Sequence, residues 1–89
     1  MKVTFNLAFK DRTSCKEMTV EKAETLNDLL LLLCERFGDG FRMSVFDDSR
    51  LSSNVLILVN GRSANNLKRL ETRLAADDVI DIFPSLKGG

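Results

Sequence analysis

The chain is predicted to fold as an α+β domain, a mixed sheet of four to five strands with one main helix packed on one face. Three observations predict it. Val3, Phe5, Leu7 and Phe9 alternate with Thr4, Asn6, Ala8 and Lys10, a period of two that reads as a half-buried strand. Leu26, Leu29, Leu30, Leu33 and Phe37 fall on one face of a helix. Val55–Val59 and Val79–Phe83 are short apolar runs, the first closed by Asn60-Gly61 and the second by Pro84.

Taken in order, the first strand is followed by a polar turn at Asp11-Arg12-Thr13-Ser14. Lys16 to Val20 then suits a second strand, with Met18 and Val20 on one side, forming a hairpin with the first. Thr25 is placed to cap a helix, with Asp28 supplying the carboxylate three residues on. The helix is expected from Leu26 to about Phe37, with Gly38 taking the left-handed conformation past its end. Leu31 and Leu32 fall off the buried stripe and read as exposed, and Cys34 sits at its border as packing. Residues 38–54 read as a long connection partly tucked onto the core, with Asp47-Asp48 in a solvated loop.

Val55-Leu56-Ile57-Leu58-Val59 is apolar on both faces, as a central strand should be. Asn60-Gly61 is a strong hairpin signal, and Arg62-Ser63 begins the return strand. Leu67, Leu70 and Leu74 recur among charges, as a short helical turn or irregular chain covering a sheet edge. Asp77-Asp78 make a turn before the last strand. The order strand, strand, helix, strand, strand, strand, with first and last strands adjacent in the middle, is a β-grasp arrangement. Residues 1–84 form the domain, and 85–89 are a flexible tail ending in Gly-Gly.

Composition narrows the function. The 89 residues suffice for one domain, and 44 % of them are hydrophobic, enough for a core. The 13 basic and 13 acidic residues cancel, leaving no electrostatic footprint for nucleic acid or an anionic membrane. The N-terminus lacks a signal-peptide pattern, and the apolar run at Leu29–Leu33 is too short to span a bilayer, so a cytoplasmic monomer is expected. There is no histidine, which removes the commonest general acid–base and the usual partner of a cysteine nucleophile. Cys15 and Cys34 are too few to fill a zinc site and read as reduced structural thiols. No metal or bound cofactor is expected, and the chain reads as a carrier rather than an enzyme.

The tail offers the chemistry. Ser85-Leu86-Lys87-Gly88-Gly89 follows the last strand and, extended, reaches roughly 17 Å. Glycines without a Cβ pass through a narrow channel in another protein. Two terminal glycines arise by chance about once in 200 chains, so they are a moderate signal alone and a stronger one behind a strand that delivers them. The Gly89 carboxylate must be activated, and adenylation is the usual means. The chain has no glycine-rich phosphate loop, so a partner enzyme would consume the ATP. Attack by sulfide or persulfide then gives a thiocarboxylate; attack by a lysine gives an isopeptide bond.

At these residues the sequence resembles the ubiquitin-like sulfur carriers of the MoaD/ThiS family, most closely its molybdopterin synthase small-subunit members. The likeness lies in Ile57-Leu58-Val59-Asn60-Gly61-Arg62, in Leu70-Glu71-Thr72-Arg73-Leu74, and in Asp77 through Pro84 running on to Gly88-Gly89. It implies a ubiquitin-activating-type adenylating enzyme acting on Gly89, sulfur loaded there, and a larger molybdopterin synthase subunit that takes up the tail. Relatives of similar appearance are joined to lysines of target proteins, which is the alternative role. Phe83, Pro84 and Arg62 are the implied partner-binding residues, and Leu86, Lys87 and Gly88 the tail beside the reactive glycine. Ser85 after Pro84, and Lys87 before the glycines, depart from the family's usual pair of prolines and small residues. If Val3, Phe5, Leu7, Ile80 and Ile82 face the core, then Thr4, Asn6, Ser63, Asp81 and Phe83 face outward.

Overall fold

The computed structural model describes residues 1–6, 9, 13 and 15–85. Its main sheet is built of β1 (Lys2–Phe5), β2 (Glu17–Thr19), β5 (Val55–Val59), β6 (Arg62–Ser63) and β7 (Val79–Pro84), in the spatial order β2-β1-β7-β5-β6. β1 and β7 run parallel, with Val3 opposite Ile80 and Phe5 opposite Ile82; every other pairing is antiparallel. The first and last strands are thus neighbours in the middle of a mixed five-stranded sheet, as the sequence predicts.

Helix α1 (Leu26–Phe37) lies across one face. The Thr25 hydroxyl accepts the Asp28 N–H at 3.2 Å, closing the predicted cap. Leu26, Leu29, Leu30 and Leu33 are fully buried against Val3, Phe5, Ile57, Ile80 and Ile82, each leucine contributing about 1.5–3 kcal/mol of hydrophobic stabilisation. Leu31 and Leu32, at 39 % and 38 % exposure, stand off that stripe as expected. Cys34 is buried with the leucines, and its thiol pKa is raised by burial.

Two stretches differ from expectation. The first strand does not run to Phe9. β1 ends at Phe5, and the backbone at Phe9 and Thr13 is helical. Both side chains are buried, and the Thr13 hydroxyl donates to the Phe9 carbonyl at 3.0 Å, a bond across one helical turn. Positions five, nine and thirteen are spaced four apart, so a short period-two pattern and a helical one coincide there. The expected polar turn at residues 11–14 meets the described chain only at Thr13; Leu7, Ala8, Lys10, Asp11, Arg12 and Ser14 lie outside it.

The second difference is at residues 38–54. Gly38 adopts φ 89° and ψ −168°, a backbone open essentially to glycine alone. This is not the left-handed helical cap that was expected, and the chain restarts at once as a second helix, α2 (Asp39–Val45). Phe41 and Val45, one turn apart, are buried, while Met43 points out at 78 % exposure. Phe41 meets Phe5 and Phe9 edge-on at centroid distances of 6.3 and 5.9 Å, so the aromatic cluster bridges sheet and both helices. A hairpin of β3 (Phe46–Asp47) and β4 (Arg50–Leu51) follows, turning through Asp48 at φ 59°.

Asn60 and Gly61 carry φ of 53° and 84°, as a two-residue hairpin turn between β5 and β6 requires. The next segment forms two short 3-10 turns, Ala64–Asn66 and Arg69–Glu71, with Leu67, Leu70 and Leu74 packed on the core. It runs against the entry to α1: the Leu26 N–H donates to the Thr72 carbonyl at 2.9 Å, and the Leu74 N–H to Glu24 at 2.9 Å. Among the described residues, no helix is long and apolar enough to cross a membrane.

Candidate functional site

β7 is a strand whose apolar alternation pins it between β1 and β5, burying Ile80 and Ile82 completely. Its pairing with β5 continues to Pro84 opposite Val55. Proline can sit there because it is the last residue of the strand and has no N–H to leave unpaired. One residue further, the Ser85 N–H donates to the Asn54 carbonyl at 2.9 Å. The chain is therefore anchored as far as Ser85. Leu86, Lys87, Gly88 and Gly89 lie outside the described residues; four residues span at most about 14 Å.

The strand register sets the face turned away from the helices. Phe83 lies opposite Leu56, Asp81 lies between Thr4 and Leu58, and Ser63 lies opposite Leu58. Thr4, Asn6, Ser63, Asp81 and Phe83 are all part-exposed, consistent with the outward side expected of them. Leu56 and Leu58 share that face and were missed. In β5 only Val55, Ile57 and Val59 are buried, because the helices cover a single face of the sheet. An unbroken apolar run carries no alternation, so the open face of β5 leaves no mark on the sequence. The face divides in two. Leu56 and Phe83 form an apolar pair over β5 and β7 toward the anchored end at Ser85, with Leu58 next along β5 between Asp81 and Ser63. Lys2, Thr4, Glu17 and Thr19 form a polar half over β1 and β2, where Lys2 and Glu17 pair at 3.7 Å. That exposed ion pair is worth a few tenths of a kcal/mol.

Phe83 and Pro84 thus stand together at the tail end of the sheet. Arg62 does not stand with them. It pairs with Val59, at the other end of β5 from the Val55–Pro84 pair, about 13 Å along the strand. Its neighbours are those of the Asn60 corner. There the Asn60 side-chain amide donates to Asp78 Oδ1 at 2.9 Å, and its Oδ1 accepts the Val79 N–H at 2.9 Å. Asp78 Oδ2 accepts the Ala75 N–H at 2.7 Å. The Ala75 backbone bond, with the Asn60 amide second, holds the Asp78 carboxyl below its ordinary pKa.

Taken chemically, the side chains are poor in reactive groups. There is no histidine, and Cys34 is a buried thiol with a raised pKa, unsuited to act as a nucleophile. What the fold does show is β7 anchored through Ser85 beside Leu56 and Phe83.

Comparison with known proteins agrees with this architecture. The model of the ThiS family matches residues 3–89. A protein of Archaeoglobus fulgidus, named as a candidate sulfur carrier, is 34% identical over 73 residues, covering 82% of each chain. The solution structure of small archaeal modifier protein 1 from Methanosarcina acetivorans superposes with a TM-score of 0.85 at 26% identity, covering 99% of this chain and 94% of that one. A candidate molybdopterin converting factor subunit 1 from Pyrococcus furiosus gives a TM-score of 0.76 at 26% identity, covering 96% and 95%. The fold is a ubiquitin-like β-grasp. With the family match spanning nearly every residue and the β-grasp sheet ending in an anchored strand before Gly88-Gly89, the chain belongs to the ThiS family of small ubiquitin-like carrier proteins.

Proposed function

We propose that this chain is a sulfur carrier whose Gly89 carboxylate is loaded by a partner enzyme and spent in molybdopterin biosynthesis. A carboxylate oxygen of Gly89 attacks the α-phosphorus of ATP on an adenylating enzyme, and pyrophosphate leaves. Hydrosulfide, or the terminal sulfur of a persulfide followed by reduction of the resulting S–S bond, then displaces AMP and leaves a thiocarboxylate. A larger synthase subunit takes the loaded tail and transfers its sulfur to a pterin precursor in the cytoplasm. This chain supplies the acyl group and the docking surface; ATP is bound and consumed by the partner.

One observation carries the reading: β7 is held in the sheet through Ser85, so the diglycine end starts from a fixed point beside Leu56 and Phe83. The likeness to the Archaeoglobus and Pyrococcus proteins supports the sulfur role. The test is the intact mass of the protein after incubation with its adenylating enzyme, ATP and a sulfur source. One oxygen-to-sulfur exchange, lost on deletion of Gly89, is expected. An unchanged mass under every loading condition would defeat the proposal.

The likeness to small archaeal modifier protein 1 supports a second role, in which a lysine of a target protein attacks the same adenylate or a thioester made from it. Digests of cell extract would then show a Gly-Gly remnant on target lysines, absent when Gly89 is deleted.

A further inference from the structure

The Asn60 corner holds chemistry that the carrier role does not use. Asn60 is the one asparagine in the chain followed by glycine. In such a pair the following backbone nitrogen meets no Cβ and can reach the side-chain amide carbon. The Gly61 nitrogen, having lost its proton to solvent base, attacks Cγ of Asn60. The bond from Cγ to Nδ2 breaks, ammonia leaves, and a five-membered imide forms. Water opens the ring at either carbonyl, leaving aspartate or isoaspartate. One water enters and one ammonia departs.

The native geometry opposes that attack. Nδ2 is held on Asp78 Oδ1 at 2.9 Å and Oδ1 on the Val79 N–H at 2.9 Å, which points the amide at the start of β7. Asn60 also sits at φ 53° in the β5–β6 turn, and its own N–H donates to the Val79 carbonyl of β7 at 2.8 Å. The product would not fit the same corner. Loss of Nδ2 replaces the donor to Asp78 with an anionic oxygen, so two carboxylates meet. Isoaspartate adds a backbone atom to a turn that accepts two residues.

We propose that Asn60 is a site of spontaneous deamidation held in check by its bonds to Asp78 and Val79, so that the modification marks molecules whose corner has opened and then keeps it weakened. The full-length protein is incubated at physiological temperature and mildly alkaline pH, and the peptide carrying Asn60 is followed by mass and isoaspartate analysis. The native chain is expected to deamidate at least about tenfold more slowly than the chain in denaturant, with Asp78→Ala about tenfold faster than native, the worth of a hydrogen bond to a charged group. Equal rates in native and denatured chains, or a folded Asp78→Ala variant no faster than the parent, would overturn the protection. The consequence is read separately by thermal melting. Asn60→Asp should melt below the parent, and the swap Asn60→Asp with Asp78→Asn, which restores an amide–carboxylate pair, should recover at least half the loss. A swap no more stable than Asn60→Asp would overturn the clash of carboxylates.

Discussion

Asp78 shows how a single part-exposed side chain can act on a whole strand. Its two oxygens accept from Ala75 and Asn60, tying the turn before β7 to the hairpin after β5. Both bonds favour the ionised form, so folding lowers its pKa. The unfolded chain then binds the proton more tightly than the folded one. Stability from Asp78 is complete above the unfolded pKa and is lost as pH falls through the folded value. Asp78→Ala should therefore cost about 1 kcal/mol near neutrality, and less in strong acid below the folded pKa, where protonation of the parent's carboxyl weakens the same bonds. Chemical denaturation of parent and variant at the two pH values measures the difference; a constant gap would count against this account. Gly38 is the other residue of consequence, since its φ of 89° and ψ of −168° let α1 pass directly into α2. Gly38→Ala should destabilise by at least about 1 kcal/mol through backbone strain, although there is open space for the added methyl.

Among the elements, α2 matters beyond its seven residues. It is too short to be stable alone and exists because Phe41 and Val45 insert into the core. Phe41→Ala should cost about 3–5 kcal/mol, against about 1 kcal/mol for loss of the α1 cap in Thr25→Ala, and thermal melting of both variants checks the order. The outer half of β5 and β7 calls for the opposite outcome. Leu56, Leu58 and Phe83 are part-exposed, so Leu58→Asp should leave the melting temperature within a few degrees of the parent. It should weaken capture by the adenylating enzyme at least tenfold if the open face of β5 is the docking surface. Arg62→Ala should change capture far less if docking is confined to the tail end of the sheet.

At the scale of the molecule, the sheet places its first and last strands side by side: β1 and β7 pair in parallel at its middle, so the start of β1 and the anchored end of β7 lie at opposite ends of that pair. Pulling β7 out would break the pairing with β1 and with β5 together, so the tail leaves from a firmly held part of the fold. Just past β7, the Ser85 N–H still bonds the Asn54 carbonyl. Truncation after Ser85 should leave folding stability unchanged while abolishing any loading of sulfur. A lowered melting temperature in that truncation would mean that the tail packs on its own domain, and the carrier mechanism would fail with it.

Much of this was legible in residue order alone. Thr25, the leucine stripe and Phe37 define α1, and Asn60-Gly61 defines the β5–β6 hairpin, because a helical period and a two-residue turn are local properties. The pairing of first and last strands also follows, since a strand–strand–helix–strand order leaves few ways to close one core. Only the tertiary structure decided the rest. Phe9 and Thr13 became helical and residues 39–45 formed α2 because burial of Phe9, Phe41 and Val45 outweighed weak local preference. Leu56 and Leu58 came to the open face because the helices cover one side of the sheet, and Arg62 fell far from Phe83 because β5 and β7 run antiparallel. Asn60 met Asp78 at a sequence separation of 18. Each of these depends on which surfaces are hidden from water by segments distant in the chain, and no local pattern of residues encodes that.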